Sequence, residues 1–186
     1  GGDKGVDVLN SNRQKEFSLV HSDNEINSLA GNRVFAVLED NEGYIWLSTE
    51  GGLNRFDPKK KVIKHYYHDV NNKSSLPSNN IMNLFIDSSD TLWIGTDRGS
   101  VQYLPKSDDF VRIEELNNYE IYNMVETSPQ TYWLATAEQG LIYFEKKNNR
   151  IVKYKHKPNE TNSLSNNKIT GIIQDNNHLW VLAWSN

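Results

Sequence analysis

The chain has 186 residues, with 20 Lys plus Arg against 24 Asp plus Glu and a net charge of −4, so it lacks the basic footprint that nucleic acid or an anionic membrane surface requires. Cys is absent, which excludes disulfides and thiolate metal sites. Five Trp, nine Tyr and six Phe are too many aromatics for a disordered chain, and no apolar run approaches the roughly 18 residues of a membrane-spanning helix.

In chain order, residues 5–9 and 16–20 read as two short strands. A pattern then begins that recurs to the end of the chain. Its marker is a Trp in one frame, in Tyr44-Ile45-Trp46-Leu47-Ser48-Thr49, Thr91-Leu92-Trp93-Ile94-Gly95-Thr96, Thr131-Tyr132-Trp133-Leu134-Ala135-Thr136 and His178-Leu179-Trp180-Val181-Leu182-Ala183. The four Trp residues are separated by 47, 40 and 47 residues. Ahead of each lies an apolar or alternating run, at residues 34–38, 81–86, 121–125 and 169–173, joined to the Trp segment by a polar turn such as Glu39-Asp40-Asn41-Glu42-Gly43. Run, turn and Trp segment predict a β-hairpin. A Gly and a third strand follow at 52–56, 99–103 and 140–144, and a fourth strand closes the unit at 62–67, 110–113 and 151–154.

Four short antiparallel strands in a unit of this length is the anatomy of one β-propeller blade. The predicted fold is all-β, a β-propeller fragment of three complete four-stranded blades flanked by two half-blades, about four blades in total. The units are a half-blade at 5–21, blades at 32–68, 80–114 and 120–156, and a half-blade at 167–184. Trp46, Trp93, Trp133 and Trp180 are expected to be structural, packing between neighbouring blades. The phase is informative, because the chain opens on strands three and four and finishes on strands one and two. A ring of four is the low end of the propeller range, so the chain is expected to be a section of a larger propeller. Its terminal strands are expected to pair either with each other or with another chain, giving a homodimer through open blade edges.

Between blades a second pattern recurs: Asn27-Ser28-Leu29-Ala30-Gly31-Asn32, Ser74-Ser75-Leu76-Pro77-Ser78-Asn79-Asn80 and Asn162-Ser163-Leu164-Ser165-Asn166-Asn167. Asn and Ser close turns by bonding nearby backbone, and the Leu is expected to plug the blade junction. With Asp40-x-x-Gly43 ahead of the Trp and Gly52-Leu53-x-x-Phe56-Asp57 after it, the chain resembles the two-component regulator propeller repeat over residues 5–183. The resemblance implies the periplasmic sensor region of a hybrid two-component histidine kinase, part of an inner-membrane receptor, that responds to a polysaccharide-derived oligosaccharide. Two departures from the pattern stand out. The link at 114–120 lacks the Ser-Leu-Asn loop, and Ser100 replaces the Leu after Gly99.

No catalytic constellation is legible, and no metal or cofactor site is expected. His21, His65, His68 and His156 fall in or beside outer strands, where a surface position is the default. His65 and His68, three apart on a strand, are expected on opposite faces. Successive strands alternate direction, so the loops from strand two to three and from strand four to one share a face. That face is the candidate ligand surface, with Glu50, Asp97, Arg98, Glu138 and Trp184 on the first kind of loop and Arg33 and Tyr119 on the second. Planar polar side chains can hydrogen-bond sugar hydroxyls, and rings can meet their C–H faces. The expected function is non-catalytic ligand recognition, with the rest of the propeller and receptor as partners and no direct membrane contact in this segment. The alternatives are an interaction or dimerisation scaffold of the same receptor that does not touch ligand, and a glycan-cleaving or lyase propeller.

Overall fold

The computed structural model describes residues 4–184. Sixteen strands form five separate antiparallel sheets among these residues. A first hairpin, β1 (Val6–Leu9) and β2 (Lys15–Leu19), is followed by three four-stranded sheets in simple meander order. Blade one holds β3 (Val34–Glu39), β4 (Ile45–Thr49), β5 (Gly52–Asp57) and β6 (Val62–Tyr66). Blade two holds β7 (Ile81–Ile86), β8 (Leu92–Thr96), β9 (Gly99–Leu104) and β10 (Asp109–Arg112). Blade three holds β11 (Ile121–Ser128), β12 (Thr131–Thr136), β13 (Leu141–Glu145) and β14 (Arg150–Tyr154). A last hairpin, β15 (Ile169–Gln174) and β16 (Leu179–Ala183), stands alone. The fold is an all-β propeller fragment.

The core is divided among the junctions between sheets. Trp46 packs with Leu84, Leu92, Ile94, Tyr103 and Phe110 of blade two, and Trp93 packs with Met124, Leu134 and Phe144 of blade three. Trp133 lies against Ile172, Leu179 and Val181 of the last hairpin. The recurring Trp is therefore an interblade wedge, as expected of a ring of apolar area too large for one sheet to hide.

Three of the four wedges, Trp46, Trp93 and Trp180, are anchored from their own hairpin turns. The indole Nε1–H of Trp46 donates to Asp40 Oδ2 at 2.6 Å, that of Trp93 to Asp87 Oδ2 at 2.8 Å, and that of Trp180 to Asp175 Oδ2 at 2.8 Å. The other carboxylate oxygen accepts two turn amides, from Ser89 and Thr91 at Asp87 for example. Burial alone would raise the Asp87 carboxyl, but bonds from Trp93, Thr91, Tyr132 and Ser89 hold it below the usual carboxylate range. In blade three the turn is closed by Glu126, which accepts from Gln130 N–H at 2.9 Å and from Ser88 N–H of blade two at 2.6 Å.

The Asn-rich loops also repeat atom for atom. His21, His68 and His156 each donate Nδ1–H to a Leu carbonyl, of Leu29, Leu76 and Leu164, at 2.6, 2.7 and 2.6 Å. Their backbone amides donate to Asn32, Asn79 and Asn167 Oδ1. The default of a plain surface histidine is corrected here, since these three rings close the loops, and His68 lies beyond the end of β6 rather than on a strand with His65. The departing link at 114–120 forms a 3-10 turn, Glu114–Leu116, whose fully buried Leu116 fills the place that Leu29 and Leu76 take elsewhere.

The terminal halves do not pair within the chain. The first hairpin packs Val6, Phe17 and Leu19 onto blade one, and the last packs onto blade three. Each is held by its own neighbour, so the two stay at opposite ends of the row and no fourth intramolecular blade forms.

Candidate functional site

The recurring small-residue–Thr ending of strand two has a geometric purpose. Thr49, Thr96 and Thr136 each donate Oγ1–H to the carbonyl of the Gly that opens strand three, at 2.7, 2.9 and 2.7 Å. The same oxygens accept amides of Gly51, Arg98 and Gln139. Gly140 must have positive φ, 76°, and a Cβ there would meet the Tyr154 carbonyl oxygen at 2.1 Å. These bonds fix tight two-to-three loops, and backbone bonds tie them to the four-to-one loops: Asn118 N–H to Arg98 O, Ala137 N–H to Glu120 O, Gly140 N–H to Asn167 O and Trp184 N–H to Lys168 O. Both loop types thus share one face.

On that face the expected residues divide into sectors. In the first, Arg33 N–H reaches Glu50 Oε1 at 3.3 Å and the Arg33 guanidinium sits 5.1 Å over the Phe35 ring. In the second, Asp97 and Arg98 form the turn after β8; Arg98 is exposed, whereas Asp97 Oδ1 is buried without a partner. Tyr119 is half-buried against the cluster of Trp93, Leu116 and Ile142, under the Lys153 ammonium at 4.9 Å, and so is engaged by the outer strand of blade three. In the third sector, Glu138 and Trp184 line a cavity of about 360 Å³ with Ala137, Asn166, Asn167 and Lys168. The Lys168 ammonium lies 4.8 Å from the half-exposed Trp184 ring.

The structure therefore brings Glu138 and Trp184 together and leaves Arg33, Glu50, Asp97, Arg98 and Tyr119 outside that cavity. Lys168, Asn166 and Asn167 complete it. Lys168 stands on the exit of a four-to-one loop, preceding Ile169 as Arg33 precedes Val34. A carboxylate acceptor, an ammonium donor, two carboxamides and an indole edge around such a volume can hold a neutral polyol by hydrogen bonds and ring contact.

A larger cavity, about 480 Å³, opens on the opposite face between blades one and two, lined by Asp40, Trp46, Arg55, Asp90 and Tyr103. Its charged and phenolic groups Asp40, Arg55 and Tyr103 are already paired. Arg55 donates to the Tyr103 hydroxyl at 2.6 Å and lies 3.5 Å from Asp108, which also bonds Lys64, Tyr66 and Tyr103. Burial pushes the Asp108 carboxyl up, yet the bonds from Lys64, Tyr103 and Tyr66 bring it down to about 2. With Trp46 wholly buried, no ring face is offered there.

Residues 28–51 and 75–98 match the two component regulator propeller family. The two regulator propeller repeats cover the Asn-rich loop, strand one, the Asp turn and the Trp strand of blades one and two. A search of curated protein sequences finds no match. Among solved structures, the extracellular domain of BT4673 from B. thetaiotaomicron is 22% identical, with a TM-score of 0.81 over 98% of this chain and 24% of that one. The extracellular domain of the hybrid two component system BT3049 from B. thetaiotaomicron is 18% identical, with a TM-score of 0.80 over 96% of this chain and 25% of that one. Virginiamycin B lyase from Staphylococcus aureus is more distant, 13% identical with a TM-score of 0.61 over 94% of this chain and 54% of the lyase. At such identities the likeness is one of fold. The chain spans about a quarter of the length of the extracellular domains it resembles. No helix among the described residues is long and apolar enough to cross a membrane.

Proposed function

We propose that this chain is part of the periplasmic sensor region of a hybrid two-component regulator, and that its loop face recognises a polysaccharide-derived oligosaccharide without transforming it. The observation that carries the sensor reading is the pair of regulator propeller repeats at residues 28–51 and 75–98, supported by the likeness to extracellular domains of such systems. The cavity of Glu138, Lys168 and Trp184 is the contact surface within this chain, and the rest of the propeller and receptor carries the signal onward.

A non-catalytic role is favoured over a lyase-like one by the histidines. His21, His68 and His156 are committed to loop carbonyls, His65 to the Ser28 carbonyl and His178 to the turn carboxylate of Asp175. None lines the cavity beside Glu138, so no imidazole stands there to move a proton.

Calorimetric titration with an oligosaccharide library tests the reading. A glycan that binds should lose about tenfold or more in affinity with Glu138→Gln and Trp184→Ala combined, as loss of a central ring and its polar neighbour does. Undiminished binding in that variant moves the site elsewhere, and no binding to any glycan favours the interaction scaffold.

A further inference from the structure

The repeat is shortest at one internal place. Trp93 and Trp133 are 40 residues apart where the other intervals are 47, and the shortfall falls on the link 114–120, which lacks the Ser-Leu-Asn loop and makes the 3-10 turn Glu114–Leu116 in its stead. Elsewhere that loop fixes the outer strand of the blade that follows it. Ahead of blade one, Asn27 Nδ2–H donates to Lys61 O at 2.8 Å, Asn27 Oδ1 accepts from Ile63 N–H at 2.7 Å, and His65 Nε2–H donates to Ser28 O at 2.7 Å. Ahead of blade two, Ser74 O, in the frame of Asn27, accepts from Phe110 N–H at 3.0 Å. Ile63 pairs with Phe56 and Phe110 with Tyr103, so the two amides share one frame and both point away from their sheet.

In blade three the same frame is held by Ile151, which pairs with Phe144. The amide and carbonyl of Ile151, and those of Lys153 two residues on, face the outer side of β14. Among the described residues no hydrogen bond from the link 114–120 reaches them: Asn117 N–H goes to Glu114 O, Asn118 N–H to Arg98 O and Tyr119 N–H to Leu116 O. Tyr119 meets β14 through its ring alone, under the Lys153 ammonium. β14 lies inside the chain, as the outer strand of a whole blade, and a shortened internal link is what leaves its edge open.

Charge sets this edge apart as well. Residues 146–157 carry Lys146, Lys147, Arg150, Lys153, Lys155 and Lys157 without an Asp or Glu, in a chain whose net charge is −4. The equivalent stretch of blade two, 105–116, holds Lys106 and Arg112 against Asp108, Asp109, Glu114 and Glu115. Lys147, Arg150, Lys153 and Lys155 are exposed, and the ion pair of Arg150 with Glu145 is loose, at 3.5 Å. Lysines guard an edge against neutral and basic strands, a second copy of the same edge included. The same charges attract an acidic strand laid alongside.

We propose that the outer edge of blade three binds an extended acidic segment of a partner protein, which adds to β14 as a fifth strand. The backbone of the segment pairs with the outward amides and carbonyls of Ile151 and Lys153, and its carboxylates meet Lys147, Arg150 and Lys153 in charge-assisted contacts. Each face of β14 offers a cation beside an apolar residue, Lys153 with Ile151 on one and Arg150 with Val152 on the other. The edge lies on the perimeter of the blade and not among the cavity residues of the loop face, so this inference stands apart from the ligand reading.

Titration of the full chain with a fluorescent peptide of repeated Glu-Glu-Val-Val, which puts a carboxylate and an apolar side chain on each face of an extended strand, tests the proposal. The peptide is expected to bind, more weakly as salt rises, and to slow hydrogen exchange at the Ile151 and Lys153 amides while those of Ile63 and Phe110 stay as they were. Lys147→Glu combined with Lys153→Glu alters exposed side chains, and should weaken binding by about tenfold or more with an unchanged circular-dichroism spectrum. The same peptide N-methylated throughout keeps its charge and loses every ladder donor, and is expected not to bind. Equal binding of the methylated peptide, or binding of a sulfated oligosaccharide where the peptide does not bind, would show the cations acting without the strand edge and overturns the proposal. A peptide that does not bind, or one that protects other amides and neither Ile151 nor Lys153, refutes it as well.

Discussion

The junction between blades two and three and the outer face of the last hairpin use the same sequence device with opposite consequences. Trp93 and Trp180 occupy one frame, and each donates Nε1–H to the Asp of its own turn at 2.8 Å. Trp93 is buried, and Asp87 behind it also accepts from the Tyr132 hydroxyl of blade three at 2.9 Å. Trp180 faces outward. The turn clasp is thus a local property of the hairpin, whereas the hydrophobic stabilisation belongs to the junction and exists where a following blade is present.

The largest effect that can break this comparison is truncation of the wedge itself. Trp93→Ala should cost about 3–5 kcal/mol in urea unfolding. Trp180→Ala should cost about 1 kcal/mol or less under conditions where the chain is monomeric. Equal losses would mean that the last hairpin is already covered.

A smaller contrast is expected at the loop plugs. Leu76 is fully buried and Leu164 half-buried, because the loop of Leu164 lacks the outer strands that cover Leu76. Leu76→Ala should destabilise by about 2–5 kcal/mol, and Leu164→Ala by clearly less in the same assay.

The smallest effect sharpens the electrostatic side of the first junction. Asp108 has a folded value of about 2 against an ordinary 3.8, so its contribution is complete above about pH 4 and is lost as pH falls toward 2. Asp108→Asn should lower stability at neutral pH, flatten the acid limb between those values, and converge with the parent chain below it. Urea midpoints measured across that range check the sign.

Much of the fold was legible because the repeat encodes it at several levels at once. Period, turn chemistry and the Trp frame agree, and all strands but one lie within a residue of the expected limits, as at residues 62–67 against Val62–Tyr66, while β11 runs three residues past the expected 121–125. Side-chain bonding inside the loops was not legible. Nothing in a lone His predicts that His21, His68 and His156 each reach a carbonyl eight residues on, since the contact depends on how the loop folds back. Nor does periodicity show the irregularity near the start of every inner strand, between Val34 and Ala36, Ile81 and Asn83, Ile121 and Asn123, and Ile169 and Gly171. A bulge shifts pairing without changing the apolar pattern around it. For the candidate site, loop direction gives the face and not the cluster. All seven residues lie on the two loop types, but loop direction carries no information on which sectors converge, and Tyr119 sits under Lys153 by packing in blade three.

The Asp clasp bears on how the chain acquires its structure. Because Asp175 and Trp180 lie five residues apart and bond even where the ring is exposed, such a hairpin can form from contacts close in sequence, before any neighbour has docked. Rapid local closure followed by stepwise stacking is the order that short-range contacts favour. Across the junction of blades two and three the turns also reach each other, since Glu126 accepts the Ser88 amide of blade two and Asp87 accepts the Tyr132 hydroxyl of blade three. Those two bonds need both hairpins in place, so they can lock a docked pair and cannot start either hairpin.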